Sequence, residues 1–178
     1  ADGRQTIMFL GDMRPRKGLF DFLDAAALVY EQLDNIRLLI ISKEDCHIES
    51  DLPFEYIHRP TRAQLGQLYA TCDLFVSTSW RESFGLPPLE AMACGAPVVL
   101  ADSGGVREYA RHEENCIMIP PRDPHALAAA MVRVLTDKPL ADHLRRNGPP
   151  TAAHFTWNKA TDRFEEALMS VLATDTER

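Results

Sequence analysis

The sequence predicts a doubly wound α/β fold, a six-stranded parallel sheet in the order 3-2-1-4-5-6 with helices on both faces. Three observations predict it. Six short apolar runs alternate with segments of helical periodicity. The runs are apolar at successive positions, as strands buried on both faces are. Basic residues, carboxylates and paired glycines follow the runs, where open α/β sheets bind ligands.

With 178 residues the chain is long enough for one domain with a full core. Residues 1–178 are read as a single Rossmann-like unit, with 156–173 as a C-terminal helix. Ala1-Asp2-Gly3-Arg4 reads as an interdomain linker, so an excised domain is expected. A 46% share of hydrophobic and 25% of charged residues is ordinary for a globular chain, and no apolar run approaches membrane-spanning length. No signal peptide is read. The net charge of −7 argues against general nucleic-acid binding. Cys46, Cys72, Cys94 and Cys116 lack any Cys-x-x-Cys pair and are expected as small buried hydrophobes in a reducing compartment. The six histidines show no ligand spacing, and no metal site is predicted.

Thr6–Leu10 is the first strand, ending at Gly11. Leu19, Phe22, Leu23, Ala26, Tyr30 and Leu33 then recur at helical spacing through Asp34-Asn35. Ile36–Ile41 is the second strand and Phe54–His58 the third, with irregular chain between them. Thr61 caps a helix bearing Leu65, Leu68 and Tyr69. Asp73–Ser77 and Pro97–Ala101 are the fourth and fifth strands, and Asn115–Ile119 the sixth. Asp123 and Pro124 start a helix with Leu127, Ala130, Met131, Val134 and Leu135 on one face. Another helix is expected over Leu140–Arg146, stopped by Gly148-Pro149-Pro150. The last carries Trp157, Thr161, Phe164, Leu168 and Val171 as an apolar stripe, with a frayed tail from Asp175.

The most informative stretch is Arg81–Gly95. Pro88 suits a first helical position, and Gly95 followed by Pro97 is a stop. With Pro87 at the cap, the first N–H groups have no capping side chain, and a phosphate would satisfy them while meeting the positive end of the dipole. Glu82 precedes this helix and Glu90 falls in its first turn, so both can point into one cleft and accept hydrogen bonds from sugar hydroxyls. A solvated loop charge and a dipole-favouring Glu fit the same spacing. The residues alone leave both readings open. An anionic ligand needs cations, and Arg14, Arg16 and Lys17 supply three after the first strand. Asp102-Ser-Gly104-Gly105 follows the fifth strand, where a paired glycine permits close approach of a ligand or a neighbouring loop.

The run from Glu82 to Val99 resembles the Glu-x7-Glu signature of retaining, nucleotide-sugar-dependent glycosyltransferases of the family 4 type, which have the GT-B architecture of two facing Rossmann-like domains. The resemblance extends from about Thr6 to the Trp157 helix and covers only the C-terminal, donor-binding domain of that family. It implies that Glu90 bonds the ribose hydroxyls and Glu82 the transferred sugar. The backbone N–H groups of Phe84, Gly85 and Leu86 would face the diphosphate and sugar, with Lys17 and Arg14 neutralising charge. Ile57, His58 and Arg59 would lie near the base. The chain departs from the pattern where Asp12 replaces the phosphate-binding Arg after Gly11, leaving Arg14 or Arg16 to reach the same oxygens. Ser42–Cys46 replaces expected glycines, and Cys116 another.

The resemblance thus implies a metal-independent, cytoplasmic hexosyltransferase half with no cofactor, taking a nucleoside diphosphate sugar as donor. Its partner would be the missing N-terminal domain, which would also make any peripheral membrane contact and without which no transfer is expected. The alternative is a non-catalytic nucleotide- or protein-binding module. A dinucleotide-dependent oxidoreductase is disfavoured, because Gly11-Asp-Met-Arg14 lacks the Gly-x-Gly-x-x-Gly turn. A simple glycoside hydrolase would have no use for the basic turn.

Overall fold

The strands are β1 (Gln5–Leu10), β2 (Ile36–Ser42), β3 (Phe54–His58), β4 (Leu74–Ser77), β5 (Val98–Ala101) and β6 (Ile117–Ile119). They form one all-parallel sheet in the order β3-β2-β1-β4-β5-β6, as expected. The computed structural model describes residues 3–175, with side chains to residue 172. Ala1 and Asp2 of the expected linker therefore lie outside the described residues. So does the expected tail, apart from Asp175, which ends the last helix.

Successive strand residues go to opposite faces, which is why the runs are continuously apolar. Ile7, Phe9, Leu38, Ile40 and Val76 face α1 (Leu19–Tyr30) and α4 (Pro124–Thr136). Met8, Leu39, Ile41, Phe75 and Leu100 face α2 (Arg62–Thr71) and α3 (Leu86–Ala93). Phe9 stacks on Phe22 in one layer, and Tyr69 meets Phe75 edge-on in the other. α5 (Lys138–Ala152) and α6 (Trp157–Asp175) complete the chain. Thr61 caps α2 in a full capping box with Gln64, and the Asp123 carboxylate caps α4 through Ala126 N–H.

Four expectations need correction. α1 ends at Tyr30 rather than near Asn35: the N–H groups of Gln32 and Leu33 both return to the Val29 carbonyl, turning the chain toward β2. Leu33 still packs on the core from this turn. α3 starts at Leu86, two residues before Pro88. α5 does not stop at Gly148 but runs to Ala152 with Pro149 and Pro150 inside it. The reason is close packing, because a Cβ on Gly148 would lie 2.9 Å from the Met92 carbonyl oxygen on α3. Finally, Cys46, Cys72 and Cys116 are buried but Cys94 is exposed, at the C-cap of α3 where the chain turns to Gly95. Burial pushes the Cys72 and Cys116 thiols up to about 12, so both are inert at neutral pH.

Candidate active site

The site is built where three loops leave the C-terminal ends of β1, β4 and β5. The first runs from Gly11 through a short 3-10 turn, Pro15–Lys17, to Gly18. Gly18 has φ +68°, and a Cβ there would lie 2.4 Å from the Thr78 carbonyl oxygen. Only glycine lets this loop press so closely on the end of β4. The Thr78 hydroxyl reaches the carbonyls of Gly18 at 2.7 Å and Lys17 at 3.0 Å. Trp80 adds its backbone N–H to the Arg16 carbonyl at 2.8 Å and its indole N–H to the Asp21 carboxylate. The Arg122 guanidinium lies 3.9 Å over the Trp80 ring.

Across this seam the Lys17 ammonium donates to Glu82 Oε1 at 2.6 Å, both side chains being mostly buried. Arg16 stands 3.9 Å from the same oxygen. Burial alone would push the Glu82 carboxyl up. Hydrogen bonds from Lys17 and Ser79 and the charges of Lys17 and Arg16 outweigh it, so the carboxyl lies below its ordinary range. Arg14 is paired with Asp12: its backbone N–H and Nε donate to Oδ1 at 2.9 and 2.8 Å, and Nη2 closes on Oδ2. Arg14 holds the Asp12 carboxyl low against the opposing effect of partial burial.

The third loop meets the second directly. Glu82 N–H donates to the Ser103 carbonyl and Gly105 N–H to the Glu82 carbonyl, both at 3.0 Å. A Cβ on Gly105 would fall 2.2 Å from the Ser83 carbonyl group. Gly105 therefore serves the neighbouring loop, whereas Gly104 has open space at its Cβ position. Arg16, Arg81, Glu82, Ser83 and Ser103 with the two glycines line a cleft of about 510 Å³.

The start of α3 borders this loop. Gly85 is its N-cap at φ +83°, and its carbonyl accepts the Tyr109 hydroxyl at 2.6 Å. Pro87 and Pro88 fall in the first turn, so two of its four unpaired N–H positions carry no N–H, leaving those of Gly85 and Leu86. The shift also moves Glu90 from the first turn to the fifth residue of α3. Its carboxylate takes the Tyr69 hydroxyl from α2 at 3.4 Å, a different partner from those of Glu82. The Phe84 side chain packs with Tyr109 and Phe155. Arg59 adopts φ +48° after β3, its N–H on Ser42 and its Nε on Lys43.

Lys17 and Glu82 are thus brought together, whereas Arg14 is forked on Asp12 and Glu90 has its own partner. Thr78, Trp80 and Tyr109 escaped the sequence reading. A hydroxyl just past a buried strand was the only signal for Thr78, and nothing local marks Tyr109.

Residues 1–150 match the family described as glycosyl transferases group 1. The chain belongs to this family. An uncharacterized glycosyltransferase of Methanocaldococcus jannaschii is 32% identical over 156 residues, 82% of this chain and 40% of that protein. The sucrose-phosphate synthase of Thermosynechococcus elongatus superposes with a TM-score of 0.82 at 25% identity, over 98% of this chain and 47% of that one. Anabaena HepE, solved in complex with UDP-glucose, has the same fold at 24% identity, with a TM-score of 0.80 over 94% of this chain and 49% of HepE. This glycosyl transferases group 1 chain spans about half the length of the curated relatives it matches. Its Rossmann-like sheet corresponds to one of the two lobes of GT-B glycosyltransferases.

Proposed function

We propose that the chain is the nucleotide-sugar donor-binding half of a retaining glycosyltransferase, which moves a sugar from a nucleoside diphosphate to an acceptor. The observation that carries this reading is the meeting of Lys17 and Glu82 beside the N-terminus of α3, at the ligand-binding edge of a sheet in this family. Relatives of this fold such as HepE bind UDP-glucose, which supports the donor class.

In this reading Lys17 changes partner. Without donor it neutralises Glu82. When a diphosphate enters, the ammonium turns to its oxygens, and Glu82 is released to accept hydrogen bonds from the sugar hydroxyls. The N–H groups of Phe84, Gly85 and Leu86 face the diphosphate and sugar, and Glu90 bonds the ribose hydroxyls. As the bond between the anomeric carbon and the diphosphate breaks, negative charge grows on the leaving oxygen. Lys17 and Arg14 stabilise that charge in place of a divalent metal. The acceptor hydroxyl oxygen bonds to the anomeric carbon on the face the diphosphate leaves, keeping the configuration, and its proton passes to the departing diphosphate oxygen. The acceptor side belongs to an N-terminal domain, the expected partner, and the chain alone transfers nothing. A cytoplasmic enzyme without bound nucleic acid is the fitting setting. Any peripheral membrane contact would come from that domain.

Calorimetric titration with UDP, GDP and ADP in EDTA tests the site. One nucleotide should bind, about tenfold more weakly to Glu90→Ala and to Lys17→Ala. Equal affinity in both variants would remove the proposed roles. Binding that appears only with added divalent metal would remove the metal-independent reading. The alternative, a protein-binding module, draws on the exposed apolar stripe of α6. It would be favoured if no nucleotide bound to the chain joined to its N-terminal domain.

A further inference from the structure

Asp12 is a nearly buried carboxylate at the end of β1, bordering a site that must attract an anion. On charge alone it is misplaced, since like charges repel. Its three hydrogen bonds from Arg14 suggest what it does instead. The fork on Asp12 occupies two of the five guanidinium N–H groups and leaves three. Arg14's own backbone N–H, also on Asp12, fixes the start of the side chain as well as its end. The Arg14 side chain is still 58% exposed, so those three groups remain accessible to a ligand. The pair adjoins the cleft through the chain: Arg14 is the N-cap of the Pro15–Lys17 turn, its carbonyl accepts the Lys17 N–H at 2.8 Å, and Arg16 of that turn lines the cleft.

An exposed arginine without a partner samples many rotamers, and binding must freeze them. A planar fork clamped on a buried carboxylate has lost that freedom already. Among Asp12, Arg14, Arg16, Lys17 and Glu82, three cations stand against two carboxylates, so the group keeps a net positive charge despite Asp12.

We propose that Asp12 is a positioning residue that holds the Arg14 guanidinium ready, with three N–H groups unspent, for the diphosphate of the donor; the inference rests on the donor-site reading above. Its test has a sign. Asp12→Asn is nearly isosteric and removes a negative charge from an anion site, so electrostatics alone would tighten binding. Positioning weakens it.

The experiment is a titration of the chain with UDP, GDP and ADP in EDTA, and the nucleotide that binds is then used with each variant. Asp12→Asn is expected to bind about tenfold more weakly, with Arg14→Ala losing a similar factor. In the Arg14→Ala background, Asp12→Asn should cause no further loss. Asp12→Glu, which keeps a carboxylate for the fork, should bind more tightly than Asp12→Asn. Unchanged or tighter binding by Asp12→Asn, or the reverse order of Glu and Asn, overturns the role. Should Asp12→Asn fold poorly, Arg14→Lys serves in its place: it keeps both charges but cannot fork, and full affinity in that variant overturns the role equally. Lys17→Ala separates the two levels. If it weakens binding while Asp12→Asn does not, positioning fails and the donor site stands. If it binds as tightly as the unsubstituted chain, or if no nucleoside diphosphate binds even to the chain joined to its N-terminal domain, the donor site fails and the positioning role with it.

Discussion

Glu82 is the side chain on which the two lips of the cleft meet, and its chemistry should be visible in acid. Both Glu82 and Asp12 have folded pKa values below their unfolded ones. Their contribution to stability is therefore complete above the unfolded values and is lost as pH falls through the folded ones. Calorimetric melting should show a flat Tm from neutral pH to about pH 5 and a decline below about pH 4. In Glu82→Gln that decline should be shallower, and an unchanged acid slope would mean that the Lys17 pair does not stabilise the fold. Gly105→Ala tests the contact between the loops after β4 and β5. The added methyl would overlap the Ser83 carbonyl group, and urea unfolding should show a loss of about 1–3 kcal/mol. Lys17 and Glu82 could be singled out from their sequence surroundings, but not their contact. They lie 65 positions apart, and only the sheet order juxtaposes the loops that carry them. The fork of Arg14 on Asp12 was less legible still, because side-chain direction within a turn is not a pattern of residue types.

Helix ends expose the limit of local signals. Gly148-Pro149-Pro150 has every mark of a stop, yet α5 continues through it, because Gly148 is the residue that lets α5 lie against the backbone of α3. The two prolines are carried along at the expense of two helical hydrogen bonds. Pro150 is exposed, so Pro150→Ala should restore one of those bonds and stabilise the chain by about 1–3 kcal/mol, read as a higher urea midpoint with an unchanged slope. A lower midpoint would show that the ring stiffens the unfolded chain more than it harms the helix. In α3 the local reading failed in the opposite direction. Pro88 looked like a first residue, but the left-handed Gly85, tied by Tyr109, starts the helix two residues earlier. Where the signal was a side-chain cap, at Thr61 and Asp123, the sequence was enough.

Across the whole molecule, the order of the six strands was legible, since buried parallel strands joined by helical crossovers leave few topologies. The surface left over is more telling. Trp157, Phe164, Leu168, Met169, Val171 and Leu172 of α6 are each at least half exposed. Their substitution should cost the fold little: Phe164→Ser together with Leu168→Ser should shift unfolding by no more than about 0.5 kcal/mol, while light scattering at high concentration falls. A large loss of stability would mean that the stripe packs on this chain in solution. No helix among the described residues is long and apolar enough to cross a membrane. The Thr78 hydroxyl, reaching two carbonyls of the β1 loop, sews that loop to the end of β4. A cleft whose lips are sewn together has no shutter to wait for. Under the donor-site proposal, capture of a nucleotide should therefore occur in one step, its observed rate rising in a straight line with ligand concentration. Curvature toward a plateau in stopped-flow traces would reveal a slower opening that the seam was expected to forbid.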